Sequence, residues 1–131
     1  MKIPIISDGK KNLQVYFWKI IKTMTMFVAI NYISCSELYQ DRFEQLMRSR
    51  TKAVDNMPGF QRMEVLKPNE NGSDYLIISH WEKESDFQAW RTSGAFLEGH
   101  KRGFKDLSKA KTEGKTPPMK STFKTYEILA Q

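Results

Sequence analysis

The chain has 131 residues, 40% of them hydrophobic and 27% charged, with a formal net charge of +6. Those values bound it to one ordinary globular domain. The positive charge would suit nucleic acid, but the basic residues form no single tract and no nucleic-acid signature accompanies them, so that class is set aside and small anions remain as fitting partners.

The lone Cys35 excludes an internal disulfide framework and suits a reducing, cytoplasmic setting. Residues 1–25 read as an N-terminal extension of uncertain role ahead of a domain spanning 26–131. The apolar stretch Val15–Ile21 is short and interrupted by Lys19, too brief to cross a bilayer, and it lacks the features of a secretory signal. No membrane partner is expected. A chain beginning at Met24 is expected to fold. The rival expectation is a peripheral helix that packs Phe17 and Trp18 on the domain.

From Met26 onward the pattern is regular. Phe27–Ile33 alternates as a strand, with Phe27, Ala29, Asn31 and Ile33 on one side and Val28, Ile30 and Tyr32 on the other. Asn31 is a polar amide on an otherwise apolar face. It is either a sheet residue bonded to a turn or to water, or a donor aimed into a pocket; periodicity fits both. Ser34 with Glu37 has the form of a capping box opening a helix, along which Tyr39, Phe43, Leu46, Met47 and Val54 share a face until Asn56-Met57-Pro58-Gly59 turns the chain. Phe60–Leu66 and Tyr75–Trp81 read as strands joined through the hairpin signal Asn71-Gly72. Glu82–Trp90 reads as a helix, broken at Thr92-Ser93-Gly94. A second helix follows and ends near Gly114, and Ser121–Leu129 is a final strand. That order is the α+β, ferredoxin-like split-βαβ arrangement, an antiparallel sheet with helices on one face. Its uncovered face is apolar, which predicts a symmetric homodimer.

In the second helix Leu97, His100, Phe104 and Leu107 recur at helical spacing, with Lys101 and Arg102 directly behind the histidine. His100 there is either a core residue bonded to a carbonyl or a ligand to a metal in a dry pocket, with the cations available to carboxylates. His80 shares a strand face with Leu76 and Ile78; it is either a second ligand or a satisfied core residue and is taken as the latter. Trp81, Phe87 and Phe96 are also taken as core. No phosphate loop, zinc-type histidine pair or nucleophile elbow is present, and no flavin or nicotinamide motif.

The segments Asn56-Met57-Pro58-Gly59-Phe60, Trp81-x5-Phe87-x2-Trp90 and Phe96-x3-His100 resemble the antibiotic-biosynthesis monooxygenase superfamily, over roughly Met26 to the C-terminus. The trio Asn31, Trp90 and His100 is similar in type and spacing to the site of its IsdG-type haem-degrading monooxygenases. That resemblance implies a dimeric α+β barrel with one haem per subunit, haem being both substrate and cofactor. It implies His100 as proximal iron ligand, Asn31 as donor to the oxygen species opposite, and Trp90 pressing the macrocycle out of plane. Lys101, Arg102 and Lys105 become candidates for the propionates. Dioxygen and an external electron donor, either a reductase or a small reductant, are implied, with an opened tetrapyrrole and free iron as products. The extension, His80, and the glycines at 99 and 103 depart from the family pattern. Two other activities fit the same frame: a cofactor-free monooxygenase of quinol-like aromatics, and a non-catalytic haem carrier or sensor.

Overall fold

The computed structural model describes residues 13–16 and 27–131, the first of these a short helical piece. The expected packing of Phe17 and Trp18, and the methionines 24 and 26, lie outside the described residues.

Strand β1 (Phe27–Cys35) leads into a 3-10 turn and helix α1 (Gln40–Arg48); then come β2 (Phe60–Leu66), β3 (Tyr75–Trp81), α2 (Glu84–Arg91), α3 (Gly94–Thr112) and β4 (Met119–Glu127). The sheet order is β2-β3-β1-β4, and every pairing is antiparallel. This is the ferredoxin-like split-βαβ arrangement expected from the element order.

Strand alternation sorts the sheet into two faces. On the helix side Phe27, Ala29, Trp81, Phe87 and Trp90 form one buried cluster with Val54, and Ile33, Phe43 and Tyr75 form a second. The ladder shifts register between Phe60 and Arg62, so that Phe60 and Met63 both pack against the first cluster. On the other side Val28, Ile30, Tyr32, Leu76 and Ile78 line up across β1 and β3. There Val28 is buried, Ile30, Tyr32, Leu76 and Ile78 are half-buried, and Arg62, Glu64, His80 and Lys124 rim them.

Three expectations from local pattern are corrected. Ser34 opens no helix: it pairs with Lys120 across the β1–β4 ladder, Cys35 pairs with Met119, and the Ser36 N–H donates to the Pro118 carbonyl at 2.8 Å. Sheet pairing outweighs the capping box there. Helix α1 stops at Arg48, and Val54 reaches the core from a separate 3-10 turn (Ala53–Asn56) preceded by Lys52 at φ 60°. The last strand begins and ends two residues earlier than its periodicity suggests, leaving Leu129 in solvent.

One glycine is required by geometry. Gly59 has φ +78°, and a Cβ there would overlap Asp86 Oδ2 and Cγ and lie 2.7 Å from Asp86 Cβ. Its carbonyl accepts from the Glu82 N–H at 2.8 Å, which holds Glu82 outside α2 and brings the start of that helix down on the β2 end of the sheet.

Candidate active site

Trp90 and His100 come together because the break between α2 and α3 is a built cap. Ser93 precedes α3 in an extended conformation, and its hydroxyl accepts from the Phe96 N–H at 3.2 Å, satisfying one of the helix's free donors. The chain therefore turns within three residues, and the end of α2 lies beside the first turns of α3. The Trp90 and His100 rings sit 5.9 Å apart, and Trp90 also meets Phe96 at 4.9 Å, Trp81 at 5.5 Å and Phe87 at 6.0 Å. Trp90 is 5% exposed, and its indole N–H is buried with no hydrogen-bond partner among the described residues. An orphaned donor of that kind is costly unless something not of the chain accepts from it.

His100 is held by its own helix. Nδ1 lies 2.7 Å from the Phe96 carbonyl one turn back, the two rings stack at 4.0 Å, and the Phe104 ring lies at 5.4 Å. A carbonyl can only accept, so Nδ1 carries the proton and Nε2 presents a lone pair. Burial disfavours the imidazolium and lowers the pKa, an effect the Phe96 carbonyl opposes only in part. The ring is thus neutral near pH 7, oriented, and open at one nitrogen. Phe96, read from sequence as plain core, is its orienting partner; the four-residue spacing was the signal for it.

Around the histidine the expected apolar stripe is not an inward face. From α3, Ala95 and Phe96 pack against the core and Ala110 is buried, whereas Leu97 is 62% exposed and Phe104 44% exposed. His100 stands at the margin between packed and open surface, flanked by uncovered apolar side chains.

Asn31 lies on the helix side of the sheet, 5% exposed, directly across from Phe123. Phe123 packs on Phe87, which packs on Trp90, so the three candidate residues share one layer. The amide is half satisfied: its Oδ1 accepts from the Ser121 hydroxyl at 2.5 Å, and its Nδ2 has no partner among the described residues. The bond from Ser121 fixes which way the amide points and leaves its donor end free. Ser121 is ninety residues away in sequence, and nothing local announces it.

Lys101 is exposed, with no ion pair among the described residues. Arg102 is engaged elsewhere, donating to Ser49 Oγ, the Leu46 carbonyl and the Ser49 carbonyl at the end of α1. His80 shares the face of Leu76 and Ile78 as expected and is largely buried, but only in part satisfied, with Nε2 3.2 Å from Glu64 and Nδ1 unpartnered among the described residues. Cys35 is half-buried, and burial, with the nearby Glu44 charge, pushes its thiol up to about 11, which leaves it protonated. Among the described residues no cluster of three or more His, Cys, Asp or Glu forms, and no helix is long and apolar enough to cross a membrane.

The profile of the antibiotic biosynthesis monooxygenase family matches residues 26–102. By sequence the chain is 34% identical over 68 residues to the mycobilin-producing haem oxygenase of Mycobacterium tuberculosis, covering 52% of this chain and 65% of that protein. The chain thus spans just under two thirds of that relative's length. It is 30% identical over 87 residues to the staphylobilin-producing haem oxygenase of Staphylococcus haemolyticus, covering 65% of this chain and 83% of the relative. Among solved structures, the haem-degrader MhuD of M. tuberculosis, with two haems bound in its active site, superposes with a TM-score of 0.59 at 24% identity, over 80% of this chain and 97% of that one. A mutant form of SnoaB, a cofactor-independent oxygenase of Streptomyces nogalater, superposes with a TM-score of 0.62 at 14% identity, over 82% and 96%. At these identities the superpositions establish the fold alone.

Proposed function

Because the chain belongs to the antibiotic biosynthesis monooxygenase family, we propose that it is a haem-degrading monooxygenase, opening the porphyrin ring with dioxygen and external electrons and releasing iron. One observation carries this reading: a neutral imidazole pinned through Nδ1, with its other nitrogen free, at the edge of an uncovered apolar surface. That is the donor a haem iron takes, and Leu97 and Phe104 offer the apolar contact a porphyrin face needs. The orphaned Trp90 N–H and the free end of the Asn31 amide supply polar groups a ligand would satisfy. The residues fit the group.

Bound haem supplies the iron at which dioxygen is activated and the porphyrin that is oxidised. The protein's part is to hold and steer. His100 ligates through Nε2, its tautomer set by the Phe96 carbonyl, as a hydrogen bond at the far ring nitrogen sets metal-binding histidines elsewhere. Asn31, its orientation kept by Ser121, would offer Nδ2 as a hydrogen-bond donor to bound oxygen. Trp90, wedged among Phe96, Trp81 and Phe87, would present a firmly held ring to a bound macrocycle. Lys101, with Lys105 one turn on, pairs with propionates, and Arg102 is left out of that role because its donors serve α1. Electrons come from a separate reductase or small reductant in the cytoplasm. Two chains pair through the apolar sheet face that carries Ile30, Tyr32 and Ile78, one haem to each subunit.

The test is to add haemin to purified protein, follow the Soret band, then add ascorbate in air. A shifted Soret that bleaches with iron release supports haem degradation. An unshifted band points to the cofactor-free activity on quinol-like aromatics, and a shifted band that persists points to a carrier or sensor.

A further inference from the structure

Helix α3 is weakly anchored by apolar contact. Ala110 is its only buried residue, and Gly94, Gly99 and Gly103 lower its intrinsic stability, with nothing within 4 Å of a Cβ built at Gly94 or Gly99. Ala95 and Phe96 pack its first turn on the core, and polar bonds to α1 attach it at two further points. Arg102 Nη1 donates to Ser49 Oγ at 2.9 Å, and Nη2 donates to the carbonyls of Leu46 at 3.2 Å and Ser49 at 2.9 Å. A guanidinium there caps the open carbonyls and negative dipole end of α1. One turn further along α3, Asp106 Oδ2 accepts from Tyr39 Oη at 2.6 Å and Arg42 Nε at 2.9 Å, at the start of α1. Burial pushes that carboxyl up, but the bonds from Arg42 and Tyr39 outweigh it and keep it below the ordinary carboxylate value.

Both attachments lie within two turns of His100, and the imidazole is tied to α3 by the Phe96 carbonyl. The ring moves with the helix, and α1 fixes the side of that helix that carries Arg102 and Asp106. We propose that Arg102 and Asp106 are positioning residues: two polar clamps that set where His100 Nε2 stands relative to Asn31, and so which porphyrin carbon meets the activated oxygen. This rests on the reading of His100 as the iron ligand. It also gives Arg102 a use at the site without touching haem.

The experiment compares Arg102→Ala, Arg102→Lys, Asp106→Asn and the milder Tyr39→Phe with wild type and with Lys111→Ala as an exposed control. Each is checked for folding by circular dichroism and urea unfolding. Haemin-loaded samples are then read by electron paramagnetic resonance of the ferric iron and by product isomers after ascorbate. Arg102→Ala and Asp106→Asn are expected to keep an imidazole-type signal with altered rhombicity, to yield mixed isomers, and to lower kcat about tenfold with little change in KM. Arg102→Lys recovers part of the isomer preference, Tyr39→Phe shifts it least, and Lys111→Ala leaves it unchanged. Folded Arg102→Ala and Tyr39→Phe with wild-type signals and isomers would overturn the clamps. Wild type that shows no imidazole-type signal or no turnover refutes the underlying haem reading instead.

Discussion

Replacing Asn31 with leucine separates a residue kept for chemistry from one kept for structure. The amide is 5% exposed on a face shared with Phe27, Ala29 and Ile33, and it makes one bond, from Ser121. Losing that bond costs about 1 kcal/mol, and Ser121 lies on an exposed stretch of β4 where water can replace the amide. Against this, leucine places apolar surface on an apolar face, contributing about 1–2 kcal/mol. The sum runs from neutral to about 1 kcal/mol more stable. Turnover should fall about a hundredfold, as when other preorganised donors are deleted, which corresponds to roughly 2.7 kcal/mol of barrier. Urea unfolding of the haem-free protein gives the first quantity and single-turnover ascorbate assays the second. A variant more than about 2 kcal/mol less stable, losing activity in proportion to its unfolded fraction, would show that the amide is structural. Unaltered turnover would remove it from the chemistry.

The His100 pKa is lowered, so the native protein binds fewer protons than the unfolded chain below the ordinary 6.5; stability from this group is full above that pH and declines as pH falls beneath it. Soret-monitored ligation should accordingly stay flat from mildly alkaline pH down to 6.5, and a midpoint of loss at or above 6.5 would contradict the buried, neutral ring. Gly59→Ala forces a positive φ on alanine and a clash with Asp86; the expected cost is about 2–4 kcal/mol, a Tm lower by roughly 10 °C or more, and a shift of less than a few degrees would argue against the close approach. Ile30→Glu places a carboxylate across from Lys124 within the same sheet, so the monomer tolerates it, but face-to-face pairing buries the charge. The variant should elute as a monomer where wild type elutes as a dimer, and an unchanged dimer would exclude that face.

Much of this was legible in the residues themselves. Alternation from Phe27 to Ile33 placed Asn31 among buried side chains, and Asn71-Gly72 with two flanking strands described the β2–β3 hairpin, where Gly72 does take φ +85°. What local pattern missed was decided by partners distant in sequence. Helix α1 ends at Arg48 without a glycine or proline because Arg102, more than fifty residues on, caps it. Ser34 and Cys35 were drawn into β1 by β4, overriding a good capping signal. His80 keeps the face of Leu76 and Ile78 that alternation gave it, but its Glu64 partner comes from the neighbouring strand and could not be read locally. The site followed the same division. His100 and Phe96 are one turn apart and could be paired by spacing, whereas the Ser121 bond that orients Asn31 exists only in the folded sheet.

The most direct measurement is a crystal structure of the protein with haemin bound. Iron should be coordinated by His100 Nε2, with the Asn31 amide on the opposite side of the porphyrin and Trp90 against its plane. Iron ligated by another residue, or His100 and Asn31 found on the same side of the ring, would contradict the assignment.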